Sequence, residues 1–189
     1  MLADIFTDAL AALSFKDTLV GEVYPLERRI GDKIKIYPVS LQTPSTCDNS
    51  DYVDLVPNDT KKSIIYLEKG NTTVDDQDRR YAHMRESWRL VVWLHTKIID
   101  QTKKTPYPYM QEVYSLIPTE YGNLDEYINV FLHFTGMVTD KSIFSRYTYN
   151  EVEKQFLIYP FSFFAFDYDI TYWWRQDCMI PVPANPNVC

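Results

Sequence analysis

The groups in this chain able to do chemistry are carboxylates, three histidines and a run of aromatic residues toward its C-terminal end. His83, His95 and His133 stand far apart in sequence. If His83 and His95 share a strand, twelve residues separate them by roughly 40 Å, too far to ligate one metal ion. Two short acidic segments, Asp48-Asn49-Ser50-Asp51 and Asp75-Asp76-Gln77-Asp78, carry the hard oxygens that Ca²⁺ prefers. Both lack the spacing and central glycine of an EF-hand and read as solvated loops. Asp167 and Asp169 fall on one face of one expected strand, whereas glycoside hydrolysis needs two carboxylates facing each other across a cleft. The motifs G-x-S-x-G, H-E-x-x-H, G-x-x-x-x-G-K-[ST] and G-x-G-x-x-G do not occur. The expectation is a protein without catalytic residues, cofactor or metal, whose work is done by its surfaces.

The run Tyr172-Trp173-Trp174-Arg175 is the strongest candidate surface. Aromatic rings and arginine are the usual anchors of interfaces, and a Trp can also stack on a sugar. In a strand Tyr172 and Trp174 point one way and Trp173 the other, so one Trp meets something besides the core. Trp88, Trp93, Tyr172, Trp173 and Arg175 are therefore candidate interface residues. Ile180 and Val182, on a proline-rich tail, join them.

These residues need a fold to hold them, and composition bounds that fold. A chain of 189 residues suits one domain, with 46% hydrophobic and 24% charged residues near the globular norm. At this length it can bury roughly 70% of its unfolded surface without staples. A net charge of -7 argues against gripping nucleic-acid phosphates as a main task, since the short basic clusters have acids nearby. Cys47, Cys178 and Cys189 form no C-x-x-C pair and are odd in number, so reduced thiols made in a cytosol are the plain reading. Met1-Leu2-Ala3-Asp4, with Lys16 the first basic residue, has the wrong charge order for a secretory signal. The aromatic stretch from Phe161 to Trp174 is broken by Asp167 and Asp169, so no membrane span is expected.

Hydrophobic period then assigns the elements. Leu2, Ile5, Phe6, Ala9, Leu10 and Leu13 make one helical stripe. A strand from Thr18 to Arg29 turns at Ile30-Gly31-Asp32 into a second, where Ile34 and Ile36 alternate with lysines. Ser63 to Leu67 is β-prone, Lys69-Gly70-Asn71 is expected to break it, and Asn71 to Arg80 to form a flexible tip. Tyr81 to His95 resumes as a strand; within it Trp88, Leu90, Val92 and Leu94 fall on one face and Val91 and Trp93 on the other, which makes it either central in a sheet or covered by a partner subunit. Met110, Val113, Tyr114 and Ile117 predict a helix ended by Pro118. Ile128 to Phe134 alternates as a strand, with a helix from Leu124 as the competitor. Asn150 is a candidate N-cap, with Glu153 three residues on, for a helix from Glu151 to Ile158. A strong closing strand runs through Phe164, Phe166, Tyr168, Ile170, Tyr172 and Trp174. The prolines at 181, 183 and 186 favour an extended arm.

The fold class is thus α+β. A small, mostly antiparallel sheet is expected, with an N-terminal amphipathic helix, one or two further helices, a long projecting β-hairpin arm and an extended Pro-rich C-terminal arm. The domain organisation is a single α+β domain over 1–178, with the arm at 61–95, and an extended arm over 179–189.

This order of elements resembles the tail-terminator and tail-completion proteins, and more generally the neck ring proteins, of tailed bacteriophages. The helix Asp4 to Leu13, the V-Y-P-L run from Val23 to Leu26, the arm Ser63 to His95 and the strand Phe161 to Trp174 carry the resemblance, as a pattern and not as a signature motif. The Tyr- and Asn-rich style also resembles structural proteins of crAss-like podoviruses. The resemblance implies a non-enzymatic virion subunit, assembled in the host cytoplasm, that closes with itself into a twelve-fold or six-fold ring. Such a ring would join the portal to adjacent neck or tail proteins and pass DNA through its lumen without specific binding or membrane contact. Heterologous contacts close into rings when the rotation allows, and projecting arms can add strands to neighbours. Acids would keep DNA from sticking only where they face the lumen, because screening limits their reach to about 8 Å. The alternative is an aromatic-rich carbohydrate-binding module using Tyr172, Trp173 and Trp174. A hydrolase using Asp167 is the third reading.

Overall fold

A computed structural model describes residues 2–41, 52–78, 80–100, 105–124, 127–148 and 153–175. The Pro-rich segment 179–189 and the segment Gln42 to Ser50 lie outside them. Helix α1 (Leu2–Leu10) forms where its apolar stripe demands it, burying Leu2, Ile5, Phe6 and Leu10. Full burial of each large side chain stabilises by about 1.5–3 kcal/mol. The helix ends at Leu10, short of the expected Leu13, but Leu13 and Phe15 continue the buried surface through turns. The Lys16 ammonium donates to the Ala11 carbonyl at 2.7 Å, near the end of the helix.

The sheet is larger than expected, with eight strands. In chain order they are β1 (Thr18–Ile30), β2 (Lys33–Leu41), β3 (Tyr52–Asp54), β4 (Ser63–Gln77), β5 (Tyr81–His95), β6 (Glu120–Leu124), β7 (Tyr127–Val138) and β8 (Phe161–Arg175). Their spatial order is β3-β2-β1-β4-β5-β8-β7-β6. Every neighbouring pair is antiparallel except β1 with β4, so the sheet is mixed but largely antiparallel. The β1–β2 turn is the one read from Ile30-Gly31-Asp32; Gly31 takes a φ of 61°, which favours glycine.

β5 is central, between β4 and β8, which resolves why it is apolar on both faces. Trp88, Leu90, Val92 and Leu94 meet α1 and the helix α3 (Tyr107–Leu116) in one core. Val91 and Trp93 meet a second core on the opposite face, closed by Leu55 and by residues of the segment 143–157. Trp93 donates its indole N–H to the Phe156 carbonyl at 2.8 Å and stacks on Phe161. α3 keeps Tyr109, Met110 and Val113 inside, but Tyr114, expected in the buried stripe, is exposed at the edge. A four-residue helix α2 (Thr96–Ile99), not expected from sequence, follows β5; the Thr96 N–H and hydroxyl both donate to the Pro160 carbonyl.

Three local expectations are corrected. Lys69-Gly70-Asn71 does not break β4: the strand runs on to Gln77 through two irregularities. Gly70 is there for close approach, because a Cβ on it would stand 2.4 Å from the Ser87 hydroxyl oxygen. The hairpin's second strand is paired along its whole length to β8, so it is not a free arm; within the hairpin the outer half of β4, exposed from Gly70 to Gln77, is an open edge. The helix expected over Glu151 to Ile158 is a 3₁₀ segment, Glu153–Leu157, ahead of a cis Tyr159-Pro160 bond. Its candidate cap, Asn150, lies outside the described residues. The competition at Leu124 is settled for strand β7.

Candidate functional site

The sheet face opposite the helices changes character along β5 and β8. From Val91 and Ala165 toward their paired ends at His95 and Phe161 it is apolar and covered. From Arg89 outward the same face carries Arg89, Ser87, Arg85, His83 and Tyr81 on β5, opposite Asp167, Asp169, Thr171 and Trp173 on β8. Period two puts all of these on one side, and a shared register brings them together.

The innermost row is Glu68, Arg89 and Asp167, side by side on β4, β5 and β8. Arg89 donates through Nε and Nη2 to the two Asp167 oxygens, at 2.7 and 3.0 Å, a bidentate pair. That hydrogen bonding holds the guanidinium pKa above its ordinary value. Glu68 is almost fully buried; the Tyr147 hydroxyl donates to its Oε1 at 2.6 Å and Arg146 to its Oε2 at 3.4 Å. Burial pushes its carboxyl pKa up despite these partners. Together with Gly70, Ser87, Arg146 and Asp169, this row lines a concavity of about 340 Å³.

Outward, Arg85 binds Asp75 at 3.0 Å and stands 3.9 Å from Asp169. His83 lies 3.8 Å from Asp75, and its ring is 4.8 Å from that of Trp173. At the outer end Trp173, Tyr81, Asp78 and Asn129 line a second, more open hollow of about 380 Å³. Asn129 reaches it because β7 slips register between Ile128 and Phe131, and Asn129 adopts a φ of 53°. Asn tolerates that left-handed conformation better than most residues. Asp78 accepts from the backbone N–H groups of Arg80 and Tyr81, which lowers its pKa.

The structure sorts the sequence candidates sharply. Trp93 is fully buried, and Trp88 and Tyr172 nearly so. These three belong to the interior of the chain, which corrects the expectation of an interface. The physical reason is that β5 and β8 are central: α1 and α3 cover the even-numbered positions Trp88 and Tyr172, and the second core covers Trp93 on the opposite face. Trp88 and Tyr172 also satisfy their polar tips internally, both donating to buried Glu86, which accepts from Lys69 as well. Trp174 packs at the margin of the same core. Trp173 alone of this group is half-buried on the open face. Arg175 ends β8 opposite Tyr81, its side chain outside the described residues, as are Ile180 and Val182.

Asp167 and Asp169 do share a face, but each stands beside an arginine. Among the described residues no cluster of three or more metal-type ligands forms, and no helix is long and apolar enough to cross a membrane. Of the acidic segment from Asp75, Asp75 faces Arg85 and His83, while Asp76 and Asp78 bond to backbone N–H groups. The Asp48 segment lies outside the described residues. Sequence reasoning missed Glu68, Arg85, Arg89 and Asn129. The odd-position alternation on β5 was there to find, but its pairing with β8 was not. No known family model matches the chain, and no curated protein is significantly similar to it.

Proposed function

We propose that this chain is a binding module, without turnover, that recognises a carbohydrate on its open sheet face. One observation carries the reading: half-buried Trp173 sits on that face beside a hollow ringed by Asp78, Tyr81 and Asn129. Carbohydrate sites pair an aromatic platform, which takes the C–H face of a sugar ring, with a few fixed polar groups that hold its hydroxyls. Carboxylate oxygens accept from hydroxyls, and amide and guanidinium groups donate to them. The test is a glycan array followed by calorimetry on any hit. Trp173→Ala is expected to abolish binding while the far-ultraviolet circular dichroism stays unchanged. Retained affinity in that variant would overturn the assignment of the site.

A second reading, the neck ring subunit of a tailed phage, is favoured by a different surface. Tyr114, Phe134 and Met137 are exposed together on the helix side, next to Phe166. Contiguous exposed apolar groups of this kind suit contacts between subunits. In this reading the open outer edge of β4 and the Pro-rich residues 179–189, with Ile180 and Val182, are what reach neighbours. Sister copies in a six-fold or twelve-fold ring, the portal and adjoining neck or tail proteins are the partners, and DNA passes through the lumen. Rings in negative stain, lost in Phe134→Ser with Met137→Ser, would support it; a monomer at all concentrations, alone and mixed with a portal, counts against it.

A further inference from the structure

We infer that the open face takes an extended, uncharged oligosaccharide in at least two subsites rather than a single sugar. This deepens the carbohydrate reading and rests on it. The two concavities lie on the same side of the same two strands. On β8 the inner concavity is lined by Asp169 and Asp167, four and six residues from Trp173, which places it about 13–20 Å from the outer hollow, a span that no disaccharide bridges.

The ground between them is also furnished for a sugar chain. Phe131 and His133 on β7 pair with Thr171 and Asp169, so they stand on the same face, midway along it. Phe131 is exposed, and the two rings lie nearly parallel, 6.5 Å apart. They form a second aromatic platform beyond Trp173. At the inner end Gly70 lets β4 close on Ser87, and both residues line the concavity. Arg89 keeps one guanidinium nitrogen without a hydrogen bond among the described residues.

Charge selects the ligand class. Along the face Arg85, Arg89 and Arg146 stand against Glu68, Asp75, Asp167 and Asp169, and at the outer end Arg80 stands beside Asp78, so among the described residues four guanidiniums face five carboxylates. Among the described residues each of these guanidiniums has a carboxylate beside it and the acids are in excess, so a uronic or sulfated chain meets net repulsion. A neutral chain escapes it and still finds donors and acceptors in every row.

The experiment is calorimetry of the intact chain with uncharged oligosaccharides of the linkage identified on the array, from one to six sugar units, beside uronate and sulfated oligomers of the same lengths. Affinity is expected to rise on the order of a hundredfold between two and six units, as the second subsite is engaged. Thr135 lines the inner concavity and is exposed. Thr135→Trp is expected to pull the six-unit ligand down to two-unit affinity, whereas Trp173→Ala removes binding at every length. Affinity independent of length, or a preference for the charged oligomers, overturns the inference while the binding reading stands. If no saccharide of any length binds, both fail together.

Discussion

Strands β5 and β8 run side by side through one unbroken register, from Tyr81 opposite Arg175 to His95 opposite Phe161. Their inner halves are closed on both faces: Leu90 and Phe164 against the helices, Val91, Trp93 and Ala165 against the second core. Their outer halves are closed on one face only and show ion pairs and Trp173 on the other. The hydrogen-bond ladder is the same in both, so what divides scaffold from site is cover. Where the segment 143–157 supplies apolar groups, the odd positions are apolar. At the margin of that cover Tyr147 and Arg146, from the same segment, meet Glu68 and the polar rows begin.

The sharpest way to break this contrast is to truncate one tryptophan in each half. Trp93→Ala is expected to cost about 3–5 kcal/mol in urea-monitored unfolding, because it empties a sealed site and leaves the Phe156 carbonyl unpaired. Trp173→Ala should stay within about 1 kcal/mol of the parent while losing the ligand, as surface changes do. Equal losses in the two variants would mean that the outer face is covered as well.

A smaller effect tests the junction between the halves. Gly70→Ala forces a methyl against the Ser87 hydroxyl and its carbonyl, at 2.4 and 3.1 Å, and is expected to cost about 1–3 kcal/mol. Adding Ser87→Gly should recover part of it, since only the contact with the backbone carbonyl remains. No recovery in the double variant would show that the cost comes from the strand and not from the contact.

The smallest effect is in pH. Burial raises the Glu68 pKa in the folded chain above its unfolded value, so in the window between the two the folded state binds more protons. Its contribution to stability is present below the unfolded pKa and is lost as pH rises through the folded pKa. Glu22, also raised by burial, acts in the same direction. Glu68→Gln is expected to flatten the fall in melting temperature across that window, leaving the part due to Glu22. An unchanged slope would place Glu68 outside the buried row.

Much of the scaffold was legible because it rests on local periodicity. The α1 stripe, the two-faced apolar character of β5 and the alternation of β8 all reappear in the structure. The failures were of another kind. Lys69-Gly70-Asn71 has the composition of a turn, but Gly70 serves a contact with Ser87, seventeen positions away, that only the pairing of β4 and β5 creates. Asn129 reads as an ordinary strand residue until the slip in β7 turns it toward Trp173. Arg89 and Asp167 are 78 residues apart, and no spacing in the sequence announces that they meet.

The sequence by itself determined which side chains share a face, because alternation along a strand and the turn of a helix follow from covalent geometry. It therefore separated Trp173 from Tyr172 and Trp174 correctly. It did not determine which face would be covered. That depended on α1, α3 and residues such as Ile143, Phe144, Tyr147 and Leu157 arriving from distant parts of the chain. Burial is a property of what packs against a surface, so only the tertiary structure could place Trp88, Trp93 and Tyr172 in the interior and leave Trp173 in the open.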